Sequence, residues 1–94
     1  MKDCSNHKKE VAGISDMKDL ANRIGDLHYE TLADLLDNLS DKIFLDSVKD
    51  NSEGRKKLSD ALEKAAYQIM FSSINIYRAW DISKQFMDKK NKQL

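Results

Sequence analysis

The feature that most constrains this chain is a helical pattern running without a breaker from Arg55 to Met87, in which Leu58, Leu62, Ala65, Ile69, Ser72, Ile76, Ala79, Ser83 and Phe86 are apolar or small. Steps of four and three alternate along it, the spacing that keeps one seam of a helix turned toward a partner in left-handed packing. Within that seam Ala65, Ser72 and Ala79 recur at every seventh position, which allows a neighbouring backbone to come close. A helix built this way is half of a packing unit.

The first half of the chain supplies the other half. Ser15 or Asp16 can cap a helix start, and Met17, Leu20, Ile24, Leu27, Thr31, Leu35 and Leu39 again step by three and four, with Leu32 and Leu36 widening the stripe. The spacing predicts one helical domain over 1–94: a polar N-terminal arm over 1–14 with one helical turn around His7 to Val11, a first long helix over 15–39, a short helix over 41–49, a second long helix over 55–88 and a polar tail over 89–94. Ser40-Asp41 would restart the short helix, whose apolar positions are Ile43, Phe44 and Val48. Asp50-Asn51-Ser52-Glu53-Gly54 reads as the hairpin turn. The expected class is all-α, an elongated antiparallel helical hairpin with a short extra helix.

Helices of that length cannot close a compact globule, because at ~1.5 Å per residue the last would run roughly 50 Å. The second long helix also carries a second stripe, Ala66, Met70, Ser73, Tyr77, Trp80 and Met87, which one antiparallel neighbour cannot cover. A homo-oligomer is expected, with that stripe against another copy; the alternative is that the Ile43 to Val48 segment folds back over it.

Lys+Arg and Asp+Glu are equal at 16 each, so no global field attracts DNA or an anionic membrane. The single Cys4 has no internal disulfide partner, and no apolar run suits a signal peptide or a membrane span, so the cytoplasm is the expected compartment. Glu30, Asp34 and Asp37 on the first helix and Asp60 with Glu63 on the last have spacing that could hold Mg²⁺ across a hairpin, but on a chain this charged such spacing more often marks a solvated face. His28 has no second metal ligand placed by spacing and reads as a seam-edge histidine. Without a nucleophile constellation or phosphate-cradling glycine loop, we expect no enzyme, no metal and no cofactor.

Three cations stand out by position. Lys18 lies in the first turn of its helix, where free N–H groups favour an anion, and Arg23 follows about a turn and a half later. Arg78 lies between the two apolar stripes beside Tyr77, Ala79 and Trp80, and could clamp a phosphate next to a stacking aromatic. The plainer alternatives are a solvated Lys18, and an Arg78 lying over Trp80 or paired with Asp81.

Met17-Lys18-Asp19 with Arg23-Ile24-Gly25, and Arg78-Ala79 preceded by Ala65, Ile69, Ser72 and Ile74, together resemble the small helical phage proteins that sponge up cyclic nucleotide second messengers, the anti-CBASS sponges and their anti-Thoeris relatives. The resemblance covers roughly residues 14 to 82. It implies a helical hairpin that forms oligomers, often hexamers, and binds cyclic di- or trinucleotides without altering them, in the cytoplasm of an infected host. It further implies that Lys18 contacts phosphate in a dinucleotide site and Arg78 in a separate trinucleotide site. Where the family places a stacking tyrosine this chain has Asp3; His7, eleven residues before Lys18, and Tyr77 are the aromatics available for stacking. The alternative function is a helical protein-binding module of bacteriocin-immunity or antitoxin-adaptor type, using Met70, Tyr77 and Trp80.

Overall fold

The computed structural model describes residues 7–93, and the side chains of residues 7–86. Asp3, Cys4 and the start of the arm, the Met87 side chain and those of the tail lie outside that set. Among the described residues there are three helices and no strand: α1 over Met17–Gly25, α2 over Tyr29–Ser52 and α3 over Lys56–Gln93. The chain extends 59 × 27 × 14 Å with a radius of gyration of 17.3 Å, against about 12 Å for a compact chain of this length. The expected all-α hairpin is therefore found, as α2 packed on α3, and its short dimension is a single layer of helices.

The breaks fall in different places from those expected. Residues 15–39 and 41–49 are not two helices separated at Ser40; the interruption comes earlier, at Asp26 to His28, and α2 runs through Ser40-Asp41 unbroken. Gly25, a poor helix former, ends α1, and the Asp26 N–H caps it by donating to the Asn22 carbonyl at 3.1 Å. Ser40 does not restart a helix because its hydroxyl is taken up elsewhere: it is buried and donates to the Ala66 carbonyl of α3 at 2.7 Å. The short extra helix thus precedes the hairpin and does not sit between its arms. The helical turn expected at His7 to Val11 is absent as well; the arm instead turns at Val11 to Ile14, where the Ile14 N–H donates to the Val11 carbonyl at 2.8 Å and Gly13 takes φ +80°.

The hairpin seam is made of the smallest residues available. Ala33, Ser40 and Ser47 on α2 and Ser59, Ala66 and Ser73 on α3 are all buried, each set at seven-residue spacing. They meet in antiparallel register as Ala33–Ser73, Ser40–Ala66 and Ser47–Ser59, and each serine hydroxyl donates to a carbonyl of the opposite helix. These bonds measure 2.8 Å for Ser73 to Ala33, 2.7 Å for Ser40 to Ala66, 3.0 Å for Ser47 to Ser59 and 2.8 Å for Ser59 to Ser47. The seam expected through Leu58, Leu62, Ala65, Ile69, Ser72, Ile76 and Ala79 is not the buried row but flanks it: Leu58 and Ser72 are exposed, and the other five are half-buried. Of the stripe assigned to another copy, Ala66 and Ser73 are buried against α2, and Trp80 is half-buried against His28.

A Schellman turn closes the hairpin. Gly54 adopts φ +83°, its N–H donates to the Asn51 carbonyl at 3.1 Å, and the Arg55 N–H donates to the Asp50 carbonyl at 2.9 Å. The Arg55 side chain then binds buried Asp50, with Nε and a terminal nitrogen at 3.0 and 2.8 Å from Oδ1, and also pairs with Glu53.

The consequence is a fold with almost no apolar interior. Ala33 and Ala66 are the only buried hydrophobic residues among those described, and no large side chain is fully buried. The Phe44–Tyr67 ring pair, with centroids 6.2 Å apart, and the Tyr77–Asp34 hydrogen bond fix which sides of α2 and α3 share a face. On the opposite face Leu35, Leu36, Leu39 and Ile43 of α2 therefore lie beside Leu58, Leu62, Ala65, Ile69, Ser72 and Ile76 of α3. Leu35, Leu39 and Leu58 of that set are exposed. No described helix is long and apolar enough to cross a membrane.

Candidate functional site

The five residues singled out for binding are on the surface and are not brought together within one chain. His7 is exposed in the arm. Lys18 is exposed in the first turn of α1, but the helix N-terminus already has its anion: the Asp16 carboxylate accepts from the Lys18 backbone N–H at 2.9 Å. The Lys18 ammonium has no ion-pair partner among the described residues. Arg23 does have one, Asp19, at 3.2 Å one turn earlier.

Arg78 is exposed and adopts neither of its plainer roles. The cation near the Trp80 ring is Lys84, 5.1 Å from its centroid, and Lys84 also holds Asp81 at 3.5 Å. Arg78 is left without an ion pair among the described residues. It sits one turn after Ile74 and two turns after Phe71, which with Tyr67 form an exposed apolar line on α3; Phe71 is 58% and Ile74 56% accessible.

Tyr77 is tied to the first long helix by its hydroxyl, which donates to Asp34. That bond, followed by slight desolvation and the charges of Asp34, Asp37 and Glu30, pushes the phenol up to about 12. The acidic edge of α2 thus converges on Tyr77. Asp60 and Glu63 lie far along the hairpin from it, since in the seam register they stand opposite the Ile43–Asp46 stretch, and Asp60 is held by Lys56 at 3.5 Å. No group of three acidic, histidine or cysteine side chains among the described residues could hold a metal ion.

A second feature, at the α1–α2 bend, was not among the sequence-based expectations. His28 stands at the N-cap position of α2 without a side-chain cap bond, and its ring packs on Trp80 with centroids 4.0 Å apart and planes at 60°. Trp80 Nε1 is buried with no hydrogen-bond partner among the described residues, a defect worth about 1–3 kcal/mol. Both rings line an open groove of about 480 Å³ between the bend and α3. The available signal was Gly25 three residues before His28, a helix stop ahead of an aromatic pair.

Compared with known protein families, characterised proteins and solved structures, the chain matches none.

Proposed function

We propose that this protein assembles through its uncovered apolar face and binds cyclic di- or trinucleotide second messengers without cleaving them, withholding the signal from bacterial antiphage defence. The observation that carries this reading is Arg78, without an ion pair among the described residues and set in the exposed line of Tyr67, Phe71 and Ile74 on the face away from the leucines, so that a second contact between copies along that line would bring guanidinium groups together. A cyclic trinucleotide suits a three-fold arrangement of Arg78, and a cyclic dinucleotide a two-fold arrangement of Lys18. The resemblance of the Lys18 and Arg78 segments to the phage sponges supports the same assignment.

Assembly has its own support. The open face of α3 presents Ala65, Ser72 and Ala79 at the seven-residue spacing that Ser59, Ala66 and Ser73 use inside the hairpin. A second copy crossing antiparallel near Ser72 would reuse that packing device and cover Leu35, Leu39 and Leu58.

A protein-binding role is the second reading, favoured by the exposure of Tyr67, Phe71 and Ile74 in the isolated chain. Calorimetry separates the two. Lys18→Ala should weaken cyclic dinucleotides and spare trinucleotides, and Arg78→Ala should do the reverse, each by more than about tenfold because a charge-assisted phosphate contact is lost at every copy. Absence of binding to any cyclic nucleotide would favour the protein-binding role.

A further inference from the structure

We propose that the groove between the α1–α2 bend and α3 is a nucleobase pocket, with Trp80 as the stacking face and the Asp26 carboxylate as the acceptor that selects a guanine edge. The inference rests on the cyclic-oligonucleotide reading for its ligand and adds where a base of that ligand sits.

The site is an open groove of about 480 Å³, a volume within the ~300–1,000 Å³ range of small-molecule sites, and it is lined by Asp26, Leu27, His28, Tyr29, Trp80 and Ser83 among others. Three of those six are aromatic. Trp80 is half-buried, with His28 packed on it and the Lys84 ammonium over the ring at 5.1 Å, so a flat ligand would stack by displacing that lysine. Trp80 Nε1, a donor with no acceptor among the described residues, would gain one if an incoming heterocycle seats with a small rotation of the indole.

Asp26 decides the edge. Its backbone N–H is used in the α1 cap, but its carboxylate is exposed and makes no hydrogen bond or ion pair among the described residues. A carboxylate only accepts, so it pairs with two adjacent donors. Guanine offers them as N1–H and the 2-amino group, whereas adenine sets an acceptor beside its single amino group. The negative end of α1 and Asp26 together disfavour phosphate inside the groove. Phosphate is better placed outside it, on the side of Lys84, whose ammonium stands by the Trp80 ring.

Trp80 is the only tryptophan, so its fluorescence reports this pocket directly. Cyclic di-GMP should quench it saturably and bind roughly tenfold tighter than cyclic di-AMP, the discrimination a bidentate base contact supplies. Asp26→Asn, at an exposed position whose cap uses only backbone, should keep the helical circular dichroism and lose that preference. Trp80→Phe should bind cyclic di-GMP more strongly than Trp80→Ala, because a stacking ring remains. If calorimetry shows a cyclic nucleotide bound while Trp80 emission stays unchanged and Asp26→Asn matches wild type, the pocket assignment is overturned and the sequestration reading stands. If no cyclic nucleotide binds, sequestration falls, and guanosine alone decides the pocket: saturable quenching abolished by Asp26→Asn upholds it, and no quenching overturns it.

Discussion

Ser47 and Ser59 exchange hydrogen bonds across the hairpin, each hydroxyl donating to the other residue's backbone carbonyl, at 3.0 and 2.8 Å. A serine in a helix usually turns back on its own carbonyls, as Ser72 does to Gln68 at 3.1 Å. Reaching across instead requires the two backbones to lie close, and only a seam of alanine and serine allows that.

Size at the seam should therefore matter more than polarity. Ser59→Ala should cost about 0.5–1.5 kcal/mol, one net hydrogen bond, with the fold retained. Ser40→Leu or Ser73→Leu should cost more, about 1–3 kcal/mol, by forcing the helices apart. Thermal melts followed by circular dichroism read the order; equal loss in the alanine and leucine variants would show that the close approach is not what stabilises the hairpin.

The turn offers an independent check. Arg55→Ala leaves the buried Asp50 carboxylate without its guanidinium and should lose about 1.5–3 kcal/mol, while Gly54→Ala, at φ +83°, should lose about 1–2 kcal/mol through backbone strain. Denaturant titration of both variants measures these losses, and wild-type midpoints in both would exclude the turn as a determinant of hairpin stability.

The helical hairpin was legible in the sequence because three-and-four periodicity is a local property. Which stripe pairs inside the chain was not legible, since Ala65–Ser72–Ala79 and Ser59–Ala66–Ser73 have the same spacing, and only the matching Ala33–Ser40–Ser47 set on α2 decides between them. The break was misplaced because Ser40-Asp41 has the composition of a cap, while its hydroxyl's partner, Ala66, is 26 residues away. Lys18 and Arg78 were visible as misfit cations; the His28–Trp80 contact was not, because it depends on the bend after Gly25.

Tyr77 should titrate late. Its phenol is raised from 10.0 to about 12 by the bond to Asp34, so the folded state favours the protonated form. That contribution is fully present below about pH 10 and is lost as pH rises through about 12. Ultraviolet titration should show one tyrosine ionising last, and Tyr77→Phe should remove that phase. Asp34→Asn should bring it earlier. A titration unchanged in both variants would rule out the Tyr77–Asp34 bond in solution.

The uncovered leucines predict where assembly can be broken. Leu39→Lys or Leu58→Lys places a charge on the open face and should shift the protein toward monomer in sedimentation at micromolar concentration, whereas Leu45→Lys, at an exposed position on the back of α2, should not. Equal behaviour of all three would move the interface elsewhere.

Native mass spectrometry of the protein mixed with a panel of cyclic di- and trinucleotides tests assembly and sequestration in one spectrum. The expected result is a multimer carrying a whole number of ligands whose mass, after release by heating, equals that of the intact cyclic nucleotide. A monomer free of ligand, or recovery of a linear product, would contradict the proposal that this hairpin works as an assembled, non-cleaving trap.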